Sequence, residues 1–340
     1  MVRAFLTGEK GFIAKNLIKI SRDRINFINE EVAGAGDFLF CNFCNNGKGE
    51  FDFTNALGMS VLKKELIGKC DVIIHNGATV GTDVCGLHSK EAVLNNVYGT
   101  YNVALIAKEL NIPVIYIGTT VIYDTQKIQN DWITEESPIF PRTLYATTKY
   151  EGELIIRAYC HESRYCILRP LFCYGGEGDM NSLVAKSIFN DVKGRKKPFK
   201  IFLDKTKIKD YMHVDDFCEA ITIAAEFPHI NASNDDFNIS ADNPIITYQI
   251  VDEIRKNGIE TDYIQWVPET DYLGNHRVSC LKFKNITHGD WYAKVTLAEG
   301  IKRVKDSIVK AESADYNPFR HLDSIEKNNI DIETHYNFRG

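Results

Sequence analysis

An α/β fold with a doubly wound parallel sheet and a second, smaller lobe is what this 340-residue sequence predicts. Three observations carry the prediction. Short apolar runs alternate with helix-length amphipathic stretches across the first half. A glycine-rich turn stands between the first such run and the first helix. After Pro170 the alternation becomes irregular, as a smaller α/β lobe grafted onto the sheet would make it. Strand–helix alternation means βαβ units, and these cover both faces of a parallel sheet.

The elements follow in order. AFLT (4–7) reads as a buried strand and KNLIKIS (15–21) as the helix after it. INFIN (25–29) and DVIIHNG (71–77) are the second and third strands, and VYGTYNVALIAKEL (97–110) is a helix. PVIYIGTT (113–120) is a strand, LYATTKYEGELIIRAYCHE (144–162) a long helix, and YCILRP (165–170) a further strand. Gly175 to Gly178 form a loop, 183–192 a helix, and FKIFL (199–203) a strand. Residues 211–227 turn into a helix, FNIS (237–240) is a strand, and ITYQIVDEIRKNG (246–258) is a helix that Gly258 stops. The expected units are 1–170 for the sheet domain, with 209–240 returning to it, and 171–311 for the second lobe. A polar and aromatic extension fills 312–340. No internal repeat is visible.

A formal net charge of -6 argues against a nucleic-acid partner, which selects basic faces. One basic run, Lys193 to Lys200, reads as a solvated loop or as a local site for phosphate. The apolar runs fall short of the roughly 20 residues that span a membrane, and no signal-peptide pattern opens the chain. A cytoplasmic protein without a membrane partner is expected. The nine cysteines are scattered. Cys41 and Cys44 form one CxxC with no second pair at zinc spacing, so reduced thiols and no metal are expected.

Gly8-x-x-Gly11-x-x-Ala14 follows a strand and opens a helix. Glycine lets the backbone turn tightly and lets a pyrophosphate approach N–H groups at the positive end of the helix. A carboxylate at the end of the second strand would bind the ribose 2′-hydroxyl and repel a 2′-phosphate. That strand ends on Asn29, with Glu30 next, so NAD is favoured and NADP is not excluded. Asp52 in GEFDFTN is a candidate partner for the adenine ring, or an ordinary turn residue.

Tyr145 and Lys149 are four residues apart and share one face of a helix. A phenol has a pKa of about 10, and a nearby ammonium favours its anion. Tyr145 could then move a proton to or from a substrate hydroxyl, with Thr119 from the strand end holding the same oxygen.

In these segments the chain resembles the extended short-chain dehydrogenase/reductase family, which holds sugar-nucleotide epimerases, dehydratases and reductases. The resemblance runs through TGEKGFIA (7–14), DVIIHNGA (71–78), NNVYGT (95–100), YIGTTVIYD (116–124), YATTKYEGE (145–153), LRPLFCYGG (168–176), KDYMHVDD (209–216) and FNIS (237–240). It implies a Rossmann-like fold, Thr119, Tyr145 and Lys149 as catalytic residues, and Lys149 also on the nicotinamide ribose. Gly8, Gly11, Phe12 and Ile13 would follow the pyrophosphate, with Ala78 and Asn96 near the cofactor. Thr82, Asp83, Thr120, Phe172, Asn181 and Lys209 would face a nucleotide-sugar substrate. A homodimer through a four-helix bundle of helices 97–110 and 146–162 is also implied.

Departures from the family pattern narrow the activity. Thr120 and Val121 stand where dehydratases carry Asp-Glu, so a 4,6-dehydratase is disfavoured. Phe172 replaces a common Asn, and Lys209 replaces an Arg that would clasp phosphate in a fork. Hydride chemistry at C4 remains, by epimerisation or by net oxidation or reduction. The alternative is a non-catalytic redox sensor or scaffold. Asp215 reads as a helix cap and clamp, and His213 as a packed residue.

Overall fold

A computed structural model describes residues 1–31, 56–128, 131–179, 182–192, 194, 199–201, 203–267 and 273–312. Asp52, Asn181, the Cys41–Cys44 pair, most of the basic run after Lys193 and the extension from residue 313 lie outside the described residues.

The chain begins β1 (Val2–Thr7), α1 (Phe12–Ser21), β2 (Ile25–Phe27), then a short 3-10 turn Ile28–Glu31. After α2 (Ala56–Leu66) and β3 (Val72–His75) come α3 (Thr82–Leu87), α4 (Ser89–Val93), a π turn Leu94–Gly99 and α5 (Thr100–Leu110). β4 (Val114–Ile117), a 3-10 turn Thr120–Ile122, α6 (Thr125–Ile128), α7 (Leu144–Tyr159) and β5 (Tyr165–Pro170) complete the first half. A sixth strand, Asp235–Ile239, joins β5 at the edge. Across the sheet the order is Asp235–Ile239, β5, β4, β3, β1, β2, with every pair parallel. This is the Rossmann-like, doubly wound arrangement expected.

Strand residues alternate between two cores, as the two-residue repeat of a strand requires. Ala4, Leu6, Val72, Ile74, Ile115, Cys166 and Leu168 pack against α1 and the helix Val214–Glu226. Phe5, Ile73, Val114, Tyr116, Tyr165 and Ile167 pack on the other face, against α2, α5 and α7. A third core binds the helices Leu183–Val192, Thr247–Lys256 and Leu297–Glu312 through Phe189, Ile250, Ile254, Ile301 and Ile308.

The strands end earlier than the apolar runs suggest. β2 stops at Phe27, because Asn29 turns inward and bonds both the N–H (3.0 Å) and the carbonyl (2.7 Å) of Leu6. β4 stops at Ile117, and Thr119 then caps a 3-10 turn by accepting from the N–H of Val121 at 3.4 Å. Capping at Val214–Glu226 also differs from the expectation. The cap is His213, whose Nδ1 accepts from the N–H of Asp215 at 3.2 Å. The clamp is Asp216, whose carboxylate takes the N–H groups of Lys294 and Val295.

The chain leaves β1 toward β2, then crosses to β3 on the other side of β1. Ligands of open α/β sheets bind at such a reversal, beyond the carboxyl ends of the strands. Gly8 follows β1 there, and Gly77 follows β3.

Candidate active site

Gly8 and Gly77 meet back to back. A Cβ on Gly8 would stand 2.7 Å from the Cα of Gly77, and Gly8 has φ +69. Only glycine satisfies both demands. The N–H of Gly11 closes the turn onto the carbonyl of Gly8 at 2.9 Å. Gly11 caps α1 in an extended conformation with no side-chain cap bond, which leaves the first-turn N–H groups to an external acceptor. Those donors and the positive helix end suit a pyrophosphate. Phe12 and Ile13 supply that first turn while packing partly buried on the core, and Ala14 is fully buried beneath it. The residues therefore fit a dinucleotide.

A directed chain of hydrogen bonds supports this cradle from below. Thr100 gives its one proton to the carbonyl of Asn96 at 2.6 Å, so it accepts from Nε2 of His75 at 2.9 Å. Nδ1 of His75 is then the acceptor of the Thr7 hydroxyl at 2.8 Å, and Thr7 accepts from the N–H of Gly77 at 2.9 Å. Burial, followed by the charge of Lys149, pushes His75 down to about 3, so the imidazole stays neutral in this tautomer. Asn96 continues the frame. Its amide accepts from the N–H of Thr79 at 2.7 Å and donates to the Thr79 carbonyl and the Thr148 hydroxyl, both at 3.0 Å. The Asn96 side chain thus ties the residue after Ala78 to α7, and Ala78 stands half-buried at the sheet edge.

Tyr145 and Lys149 lie in the first turns of α7, which Thr143 caps by accepting from the N–H of Ala146 at 3.1 Å. The Thr119 side chain acts on the Tyr145 hydroxyl and favours its anion. Lys149 is 4% exposed, with Nζ 4.2 Å from the centre of the Tyr116 ring. Burial pushes the Tyr145 hydroxyl up, the nearby Cys85 adds to this, and Thr119 opposes it. Burial pushes the Lys149 ammonium down to about 7, against the pull of Glu153. Burial is thus the largest influence on the phenol, which the four-residue spacing to Lys149 does not convey.

The other expected residues divide. Thr82 and Asp83 open α3, and the charge of Asp83 acts on Lys186 of the helix Leu183–Val192, whose ammonium burial pushes down. Thr120 is fully buried and gives its hydroxyl to the Pro170 carbonyl at 3.3 Å, so it turns into the protein rather than toward a substrate. Lys209 is likewise fully buried, with Nζ donating to the Gly274 carbonyl at 2.6 Å beside the Phe172 ring. This makes it a brace between segments rather than an exposed phosphate ligand. Phe172 stacks on Tyr211, ring centres 5.3 Å apart. Asn29 spends its amide on Leu6.

Several neighbours of the site carried no signal in the sequence reading. Cys85 is fully buried below the dyad and donates to the Thr79 carbonyl at 3.4 Å. Asn16 holds the 175–178 loop on α1 through the N–H and carbonyl of Glu177, each at 2.9 Å. Glu153 stands four residues beyond Lys149, and that spacing could have marked it. Among the described residues no cluster of His, Cys, Asp or Glu is arranged to hold a metal ion, and seven cysteines are free thiols. No helix of the described residues is long and apolar enough to cross a membrane.

A glycine cradle at the switch point, beside a Thr–Tyr–Lys set on neighbouring strand and helix ends, defines a dinucleotide-dependent α/β enzyme of the extended short-chain dehydrogenase/reductase type. The chain belongs to the NAD dependent epimerase/dehydratase family, whose model matches residues 4–240. It is similar to a putative UDP-glucose 4-epimerase of Methanocaldococcus jannaschii, 25% identical over 313 residues, covering 88% of this chain and 96% of that one. Its fold resembles that of a dTDP-glucose 4,6-dehydratase from Bacillus anthracis solved with NAD: TM-score 0.71, 20% identity, 92% of this chain and 98% of the other. It also resembles RMD from Pseudomonas aeruginosa complexed with NADPH: TM-score 0.72, 17% identity, 90% and 98% coverage.

Proposed function

We propose that this protein transfers hydride to or from a secondary alcohol at C4 of a nucleotide-activated sugar, as an epimerase or as a dehydrogenase/reductase. The observation that carries the reading is the Tyr145 hydroxyl within the influence of the Thr119 side chain, with Lys149 one helical turn further on. Lys149 is close enough to act on His75, whose bonds run through Thr7 to Gly77 of the glycine contact. A bound nicotinamide would supply the hydride acceptor or donor and, when oxidised, a positive charge. Gly8, Gly11 and the first turn of α1 would hold its pyrophosphate, and Lys149 its ribose. The Tyr145 oxygen takes the proton of the sugar hydroxyl as hydride leaves the same carbon, or returns it in the reverse direction. Thr119 holds that same oxygen. Glu30 after β2 favours NAD over NADP.

The chemistry beside this set favours C4 hydride transfer over 4,6-dehydration. Eliminating water needs an acid and a base next to Thr119. Val121 is apolar, and Thr120 has its hydroxyl on Pro170. With Lys209 held by Gly274, the substrate diphosphate is left to other groups. A homodimer through α5 and α7 is part of the proposal. Leu94 and Tyr98 before α5 and Leu154 on α7 are exposed apolar residues of the kind a four-helix contact buries.

Incubation with UDP- and dTDP-sugars tests the reading, with reduced-nicotinamide absorbance and sugar identity followed together. A C4 isomer without net absorbance change identifies an epimerase, and a net change a dehydrogenase or reductase. Loss of a 6-hydroxyl as water would reinstate the dehydratase. No turnover of any sugar, with phenotype unaltered in Tyr145→Phe, would leave the scaffold reading.

A further inference from the structure

We propose that the buried Glu153–Arg169 ion pair is a positioning element of the active site, which braces the three segments carrying Thr119, Tyr145 and Lys149 and favours the charged form of Lys149. The inference rests on the catalytic reading of Tyr145 and Lys149 given above.

The pair is shut away from water: Glu153 is 0% exposed and Arg169 1%. Nε of Arg169 reaches both carboxylate oxygens, at 3.0 and 3.2 Å, and Nη2 reaches one at 2.7 Å. Nη1 donates to the Tyr123 hydroxyl at 2.6 Å and pairs with Asp236 at 2.5 Å. Asp236 in turn pairs with Arg157 of α7 at 2.5 Å. Tyr123 passes its own proton to Oδ1 of Asn238 at 2.8 Å.

These contacts join the moving parts of the proposed chemistry. Glu153 rides on α7 one turn beyond Lys149. Arg169 rides on β5. The third part is the strand end itself. A Cβ on Gly118 would lie 2.6 Å from Oε1 of Glu153, so the backbone directly before Thr119 rests on this carboxylate. Tyr123, just after the 3-10 turn that Thr119 caps, is held by the guanidinium. One ion pair thus sets the spacing between Thr119 and the helix of Tyr145 and Lys149.

Bracing alone does not need charge. Well-packed apolar residues often replace a buried ion pair with no loss of stability. Charge matters for Lys149. The groups that act on or pack against it are Glu153 and Tyr145 from α7, His75 from β3, Tyr116 from β4 and Cys85 from α3. The imidazole is neutral, and burial holds the phenols and the thiol in their protonated forms. Glu153 is the carboxylate of this set; burial pushes it up, and the charge and hydrogen bonds of Arg169 pull it back toward the ionised form.

The test is trace labelling of Lys149 with an amine-reactive reagent across a pH series, read by mass spectrometry, on the full chain. Glu153→Gln and the double variant Glu153→Gln/Arg169→Met are compared with the natural protein. The double variant removes both members of the pair and leaves Asp236 with Arg157, so it keeps the fold accessible to the experiment, and circular dichroism checks it. The reactivity midpoint of Lys149 is expected to fall by about one pH unit or more in Glu153→Gln and less in the double variant. Arg169→Lys, which keeps the charge, should leave the midpoint in place. An unchanged midpoint in folded Glu153→Gln or in the folded double variant overturns the proposal. Sugar turnover is scored separately. Natural protein that converts no nucleotide sugar while its Lys149 midpoint still depends on Glu153 would sink the catalytic reading and leave the electrostatic role standing.

Discussion

Tyr145 shows what a spacing reveals and what it conceals. A four-residue step from phenol to amine places both on one helix face, and the structure has them there. Their protonation was not legible, because it depends on burial. Burial raises the phenol and lowers the amine, and the sequence holds no signal for how much water reaches either. Thr120 and Lys209 illustrate the same limit. Their chemistry suits a substrate, but a 3-10 turn and the Gly274 carbonyl direct them inward. Tyr145→Phe tests the residue that matters most. It removes one hydroxyl and leaves the glycine cradle intact, so nicotinamide affinity should stay within a few-fold. Turnover of the responsive sugar should fall by roughly 10²–10⁴, the usual worth of a positioned acid–base group. Equal affinity and undiminished turnover in the same preparation would remove Tyr145 from the chemistry.

At the scale of elements, the alternation of strands and helices was readable, but the ends were not. A strand ends where its backbone finds another partner, as Asn29 does with Leu6 and Thr119 with Val121. The sequence predicts ordinary helix from residue 97, and the structure has a π turn over Leu94–Gly99. Such turns often mark functional sites. Here the turn carries Asn96, whose amide reaches Thr79 on one side and Thr148 of α7 on the other. The two helices then close on Gly152. A Cβ there would lie 2.2 Å from the Tyr116 hydroxyl, and that ring is wholly buried under Lys149. Gly152→Ala must push Tyr116 aside or part α7 from the sheet. Despite the higher helix propensity of alanine, a loss of about 1–3 kcal/mol is expected from overpacking. Denaturant unfolding measures it, and a variant as stable as the natural protein would mean that the helix and ring separate freely.

Across the whole molecule, buried titrating groups pull stability in opposite directions with pH. Burial pushes Asp210 up to about 7, with the N–H of Asn243 opposing and the charge of Asp242 adding. The carboxyl is 1% exposed, takes the N–H of Asn243 at 3.2 Å on Oδ2, and has no hydrogen-bond partner on Oδ1. It follows Lys209 in the segment that pairs with Ile245–Ile246, so it pins the loop after the sixth strand to that segment. The folded pKa lies above the unfolded value of about 3.9. Below about pH 4 both states hold the proton and this contribution is full. Between about 4 and 7 the folded chain holds a proton that the unfolded chain has lost, so stability falls as pH rises, by at most about 1.4 kcal/mol per pH unit. His75 works the other way. Its folded pKa of about 3 lies below the unfolded value, so its contribution is lost as pH falls from about 6.5 toward 3. The two oppose each other through mildly acid pH, and the natural protein should show a shallow profile there. Asp210→Asn keeps an acceptor for Asn243 and removes the titration. Relative to the natural protein, this variant should gain stability steadily from about pH 4 to about 7 and hold the difference constant above that. Urea midpoints with unchanged slopes measure it. A difference that stays flat across the whole range would show that Asp210 is ionised in the folded chain, and with it that water reaches this carboxylate.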